Sequence, residues 1–251
     1  MKVLIVIPSR YGSTRFEGKP LIDIHGKSLV QRTYQQATKT NLNARVVVAT
    51  DDERIYSHVK TFGDCVYTAS GHISGTDRCF EAAEILGESF DILINLQGDE
   101  PFIQPSQIEA LAEAFGNTAT DIATLRKPIH TADELHNPNI VKVVSGAGGN
   151  ALYFSRQPIP YIRGEEAEQW VQKFAFFRHV GMYAFRKQVI PKLKELPTGT
   201  LENAESLEQL RWLENGFTIQ VATTDFISPA IDSPADLAAV ENFLKINPEL
   251  I

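Results

Sequence analysis

Along the chain, short runs of apolar and β-branched residues alternate with stretches in which apolar side chains recur every third or fourth position. The runs 3–7, 45–50, 65–68, 92–96 and 122–125 have the continuous apolar character of strands buried on both faces. Between them, 28–40, 52–62, 76–86 and 106–115 carry helical spacing. Such strand and helix alternation predicts an α/β fold with a mostly parallel central sheet flanked by helices.

From about residue 140 the pattern changes. Runs 140–144, 151–154 and 177–185 follow one another without comparable helices between them, which predicts a β-rich sub-lobe. Helical spacing returns over 201–215 and ends at Gly216, and a strand is expected over 217–224. The last helix begins at Ser233-Pro234-Ala235-Asp236: a capping Ser, a Pro at the first helical position and an acid in the first turn, ahead of Leu237, Val240 and Leu244. No low-complexity tract or proline-rich linker interrupts the 251 residues. The expectation is a single domain, 1–251, made of a core over about 1–130, the sub-lobe over about 131–225 and a closing segment over 226–251.

Charge narrows the function. With 24 Lys and Arg against 31 Asp and Glu, the net charge is −7, so the surface as a whole repels nucleic acid and acidic membranes. A small anionic ligand would need basic groups gathered locally. Cys65 and Cys79 are too far apart for a C-x-x-C motif and too few for a disulfide framework, which suits a reducing, cytoplasmic setting; both read as buried apolar residues. The run 3–7 is too short to span a membrane.

The basic concentration exists after the first strand. Residues 8–20, PSRYGSTRFEGKP, place Arg10, Arg15 and Lys19 among hydroxyls and glycines at the carboxyl end of a strand, where open α/β sheets bind ligands. Gly and Ser let backbone N–H groups approach phosphate oxygens, and the cations can neutralise a triphosphate. Neither the Walker A pattern nor G-x-G-x-x-G is present, and a solvated surface loop is the plain alternative. Residues 95–101, NLQGDEP, close another strand with Asp99, either a carboxylate for Mg²⁺ or part of a polar turn. Asp232 follows Ala230-Ile231 and either faces the ligand edge or supports the helix behind it. Residues 74–78, SGTDR, open a helix; their N–H groups and Arg78 suit a nucleotide, and capping by Thr76 accounts for them nearly as well.

At these residues the chain resembles the 3-deoxy-manno-octulosonate cytidylyltransferases. The likeness spans nearly the whole chain, through IPSRYGSTRFEGKPL (7–21), VVATDDERI (47–55), SGTDR (74–78), NLQGDEP (95–101), NPNIVKVV (137–144), ALYFSRQPIP (151–160), FRHVGMYAFR (177–186), LEQLR (207–211) and IDSPADL (231–237). The resemblance implies a nucleotide-diphospho-sugar transferase fold, a homodimer, Mg²⁺ dependence, and the reaction of CTP with 3-deoxy-D-manno-octulosonate (Kdo) to give CMP-Kdo and pyrophosphate for lipopolysaccharide biosynthesis. By motif position, Arg10, Ser13, Arg15 and Lys19 would bind the triphosphate. Ser74, Thr76, Arg78 and Gln97 would place the nucleotide, and Asp99 and Asp232 would hold Mg²⁺. Arg156, His179, Tyr183, Glu208 and Gln209 would meet the sugar acid in the 131–225 sub-lobe, which would also carry the dimer contact. Arg10, Arg15, Lys19, Asp99 and Asp232 form the expected catalytic set.

Attack of the sugar hydroxyl on the α-phosphorus needs positioning and charge stabilisation, so His179 is expected to hydrogen-bond rather than act as a base. A strand histidine satisfied by its neighbours, and an exposed helix face at Glu208 and Gln209, are the plain alternatives. Four positions depart from the family pattern: Ser9 where Ala is common, Glu17 where Pro is common, Ser106 after a different Pro context, and Ala230 in place of Gly. Glu17 adds an anion to the triphosphate loop and is expected to face solvent. Residues 163–173 align least. The rivals are the same reaction on 8-amino-Kdo or another 2-keto sugar acid such as sialic acid, a catalytically silent nucleotide-binding protein, and a dinucleotide oxidoreductase, which the missing glycine fingerprint disfavours.

Overall fold

The first apolar run becomes β1 (Val3–Ser9), whose residues Val3 to Ile7 are all buried. The computed structural model describes residues 1–12, 15–226 and 228–250, which fall into two units, Met1–Glu109 with Phe226–Ile251, and Ala110–Asp225. In the first unit a small hairpin of β2 (Asp23–Ile24) and β3 (Lys27–Ser28) is followed by β4 (Ala44–Thr50), β5 (Cys65–Tyr67) and β6 (Ile92–Asn95). The main strands lie in the order β6-β1-β4-β5, and every pairing is parallel. The chain leaves β1 toward β4 and β5 and returns to β6 on the other side. That reversal puts a crevice at the carboxyl ends of β1 and β6, where ligands bind in such sheets.

The helices of this unit start where local chemistry dictates. Ser28, Asp52 and Ser74 each accept a backbone N–H at the start of Leu29–Ala37, Glu53–Val59 and Gly75–Leu86, satisfying donors that a helix leaves open. Thr76 is therefore not the cap of its helix; Ser74 is. The helix Leu237–Ile246 turns Val240 and Leu244 into a core with Ile24, Leu29, Phe102 and Ile231. This packing holds the 226–251 segment in the first unit.

In the second unit β7 (Ile122–Pro128) pairs antiparallel with β10 (Phe177–Arg186) and parallel with β11 (Ile219–Thr223). The strands β8 (Lys142–Ser145) and β9 (Ala151–Ser155) form an antiparallel pair, and β8 also pairs with β10. Thus β7, which continues the alternation of the first half in the sequence, belongs to the largely antiparallel unit. The helix expected over 201–215 is two helices, Thr200–Glu205 and Gln209–Glu214, broken at Ser206 with φ 53°. Glu202 causes the fold-back: its carboxylate takes Arg211 Nη2 at 2.6 Å, Arg211 Nε at 2.7 Å and the Gly199 N–H at 3.0 Å. Short helices at Ala132–His136, Trp170–Lys173 and Ile190–Lys194 went unread because one turn shows no periodicity.

Cys79 is buried as expected, whereas Cys65 is only half-buried; burial still pushes the Cys65 thiol up to about 12, so it is unreactive at neutral pH. Among the described residues no helix is long and apolar enough to cross a membrane.

Candidate active site

A cavity of about 220 Å³ opens at the carboxyl ends of β1 and β6. Arg10, Arg15, Lys19, Ser74, Arg78, Gln97, Asp99 and Asp232 all line it. Thr76 does not; it is buried behind the wall, where its hydroxyl accepts from Asn95 Nδ2 at 3.2 Å. Ser13 lies outside the described residues.

The loop that carries the cations is shaped by Gly18. Its φ of 71° is a left-handed conformation that glycine adopts without strain, and its N–H donates to the Tyr11 carbonyl at 2.9 Å. The Arg54 guanidinium sits 3.3 Å from the Tyr11 ring centroid and is held by Asp52 through Nε at 2.9 Å and Nη2 at 2.6 Å. Glu17 is exposed, as expected. Its charge helps keep Arg54 cationic, after the larger effect of the Asp52 hydrogen bond.

Lys19 Nζ lies 3.4 Å from Asp99 Oδ2 and 3.4 Å from Asp232 Oδ1, and Arg15 Nη2 lies 3.3 Å from the same Asp232 oxygen. Two carboxylates from segments 133 residues apart therefore converge on one ammonium. The Ile231 N–H donates to the Asp99 carbonyl at 2.9 Å and fixes the two segments together. Burial raises the Asp99 carboxyl above the usual carboxylate range, Lys19 opposes this, and Asp232 adds to it. Such a pair calls for a cation. Among the described residues no three His, Cys, Asp or Glu side chains form a ready metal cage, so a hard divalent ion on Asp99 and Asp232 would complete its shell with phosphate oxygens and water.

Asp236, read from sequence only as a first-turn acid, anchors this arrangement. Its Oδ2 accepts from the Asp232 N–H at 3.0 Å, the Ser233 N–H at 2.7 Å and the Ser233 hydroxyl at 3.0 Å, and these bonds hold its carboxyl below the ordinary range. Asp236→Ala is expected to lower stability by about 1 kcal/mol, the usual size of a lost helix cap, and to reduce kcat/KM about tenfold through a displaced Asp232. Urea unfolding and steady-state rates check the two parts separately.

Also in the cavity lining, Arg78 is buried and donates to Thr68 Oγ1 at 2.7 Å, with Asp51 Oδ1 3.2 Å from Nη1. Arg78 is expected at the nucleotide from its motif, whereas nothing in VVATDDERI singles out Asp51; the ion pair fixes where Arg78 points. His72, also missed, lines the cavity and bonds Glu81 Oε2 at 2.6 Å.

The remaining candidates belong to the second unit. The ring of His179 lies 5.3 Å from that of Tyr183, which packs edge-on against Trp212 at 5.0 Å. The Thr124 hydroxyl donates to the Met182 carbonyl at 2.8 Å and so accepts from His179 Nε2 at 2.9 Å. That assigns the proton to Nε2 and leaves Nδ1 an acceptor. Burial lowers the His179 pKa to about 3 and, with a contribution from Glu208, raises that of Tyr183 well above normal. The Tyr183 hydroxyl and Gln209 Nε2 are buried without partners among the described residues, as polar groups are when a ligand supplies the missing bond.

Arg156 is tied to main chain, donating to the carbonyls of Glu205 (2.7 Å), Pro138 (3.2 Å) and Ser206 (3.3 Å). One N–H on each Nη stays available. These bonds brace the turn that leads into Glu208 and Gln209.

The chain is similar to known proteins along nearly its whole length. The cytidylyltransferase family profile matches residues 4–220. The chain is 49% identical to a 3-deoxy-manno-octulosonate cytidylyltransferase of Parabacteroides distasonis, over 97% of this chain and 98% of that protein. It is 50% identical to the protein of the same name in Bacteroides thetaiotaomicron, over 98% and 99%. A solved structure, CMP:2-keto-3-deoxy-manno-octonic acid synthetase complexed with CTP, superimposes with a TM-score of 0.91 at 42% identity, covering 98% of this chain and 100% of that one.

Proposed function

Because the chain belongs to the 3-deoxy-manno-octulosonate cytidylyltransferases, we propose that it couples CTP to Kdo, giving CMP-Kdo for lipopolysaccharide biosynthesis and releasing pyrophosphate. One observation carries the reading: Asp99 and Asp232 meet on Lys19 inside a cavity that Arg10, Arg15 and Arg78 also line. Cations there suit a triphosphate, and the paired carboxylates suit the ion that accompanies it.

Arg10, Arg15 and Lys19 neutralise the triphosphate, and Ser13 is assigned to it by motif position alone. Ser74, Arg78 and Gln97 set the nucleoside, and Thr76 supports that wall through Asn95. In the second unit His179 accepts a sugar hydroxyl at Nδ1, Tyr183 and Gln209 spend their unpartnered donors on the sugar acid, Glu208 accepts from a further sugar hydroxyl, and the remaining Arg156 N–H groups face its carboxylate. The new bond joins the anomeric oxygen to the α-phosphorus as the bond to pyrophosphate breaks, and the hydroxyl proton passes to solvent. Lys19 and Arg15 stabilise the charge that grows on the departing pyrophosphate. Asp99 and Asp232 would hold Mg²⁺, which when bound neutralises phosphate charge and makes the attacking hydroxyl more acidic.

Dimerisation through the second unit, where Leu152 is 66% and Tyr161 73% exposed, and action in the cytoplasm complete the proposal. Incubation with Mg²⁺, each nucleoside triphosphate in turn, and Kdo, 8-amino-Kdo or sialic acid is expected to release pyrophosphate with CTP and Kdo. A CMP-sugar formed only from another acceptor would replace Kdo, and none from any acceptor would make this a silent nucleotide-binding protein.

A further inference from the structure

One unpartnered polar group in the cavity has no role in this scheme. Ser9 ends β1 in register with Thr50, is 4% exposed, and its Oγ has no hydrogen-bond partner among the described residues. Its neighbours Pro8 and Arg10 line the cavity with it. The backbone of Gly98 closes over it: a Cβ at Gly98 would lie 3.0 Å from the Pro8 carbonyl oxygen and 3.3 Å from Ser9 Oγ. Ser9 is thus a buried residue of a cavity wall that offers cationic donors, Arg10, Arg15, Lys19 and Arg78, and neutral ones, Ser74 and Gln97.

A buried hydroxyl without a partner weakens the fold that holds it, and in native proteins such a group usually finds one. Resting on the reading of the cavity as a CTP site, we infer that Ser9 Oγ is a further binding residue, donating a hydrogen bond to an oxygen of the bound nucleoside triphosphate. Lys19, Arg10 and Arg15 supply charge on long, flexible side chains. A rigid strand-end hydroxyl supplies a directed bond that only a correctly seated nucleotide completes.

The test sets affinity against stability. In Ser9→Ala, KM for CTP is expected to rise about five- to tenfold, the effect of one lost hydrogen bond, with kcat and the KM for the sugar acid nearly unchanged. The melting temperature without nucleotide is expected to stay level or rise, because the orphaned group is gone. Ser9→Cys, which keeps a weak donor at nearly the same size, is expected to fall between, and it carries the test if the alanine variant fails to fold. Unchanged KM for CTP, together with a CTP-induced thermal shift equal to that of the parent, would overturn the inference. No CTP-induced shift in the parent protein would instead overturn the reading of the cavity, and the inference with it.

Discussion

Asp99→Asn is expected to lower kcat at least about a thousandfold, and Asp232→Asn similarly, while both variants remain folded. A thousandfold is about 4 kcal/mol of transition-state stabilisation, within the several kcal/mol that a metal-held charge contributes. Asparagine matches the shape of aspartate but gives one neutral oxygen where the carboxylate gives two charged ones, so hard-cation binding suffers most. Stability should not fall at Asp99, because burial already disfavours its charged form. At Asp232 the main-chain bond to Asp236 remains and holds the segment in place. The decisive measurement is turnover against Mg²⁺ concentration, with circular dichroism and melting as controls. Near-normal rates in both variants would remove Asp99 and Asp232 from the metal assignment.

The convergence behind this prediction was only partly legible in the sequence. Each carboxylate could be picked out from its strand end or helix start, and the basic loop from its three cations in an acidic chain. Local pattern also carried the capped helices of the first unit, since Ser28, Asp52 and Ser74 act within a few residues of themselves. Partners far along the chain were not visible. Asp51 reads as one of two acids after a strand until the fold brings Arg78 to it, and Lys19 reads as a phosphate ligand until both carboxylates meet it. Strand direction was hidden as well. The run that forms β7 has the same apolar character whether its neighbour is parallel or antiparallel, and only pairing with β10 decides. The break at Ser206 is hidden because Ala204, Leu207 and Leu210 keep helical spacing across it.

Acid should expose the histidine of the second unit. His179 is held neutral in the folded protein, its pKa lowered to about 3, first by burial and then by Arg178, whereas in the unfolded chain it titrates near 6.5. The folded value is the lower one, so the unfolded state binds the proton first and stability falls as pH drops from about 6.5 toward 3. Above 6.5 the contribution is fully present. The linkage slope of about 1.4 kcal/mol per pH unit would give roughly 3 kcal/mol between pH 6.5 and 4, and because the residue as a whole is half-buried solvent screening reduces this to about 2 kcal/mol. Glutamine does not titrate and can still donate to the Thr124 hydroxyl. His179→Gln is therefore expected to lose about 2 kcal/mol less than the parent between pH 7 and pH 4 in urea unfolding, a difference in which the other titrating groups cancel. Parallel pH profiles for the two proteins would show that His179 takes up its proton as readily folded as unfolded, and the neutral acceptor at Nδ1 assigned to the sugar acid would go with that result.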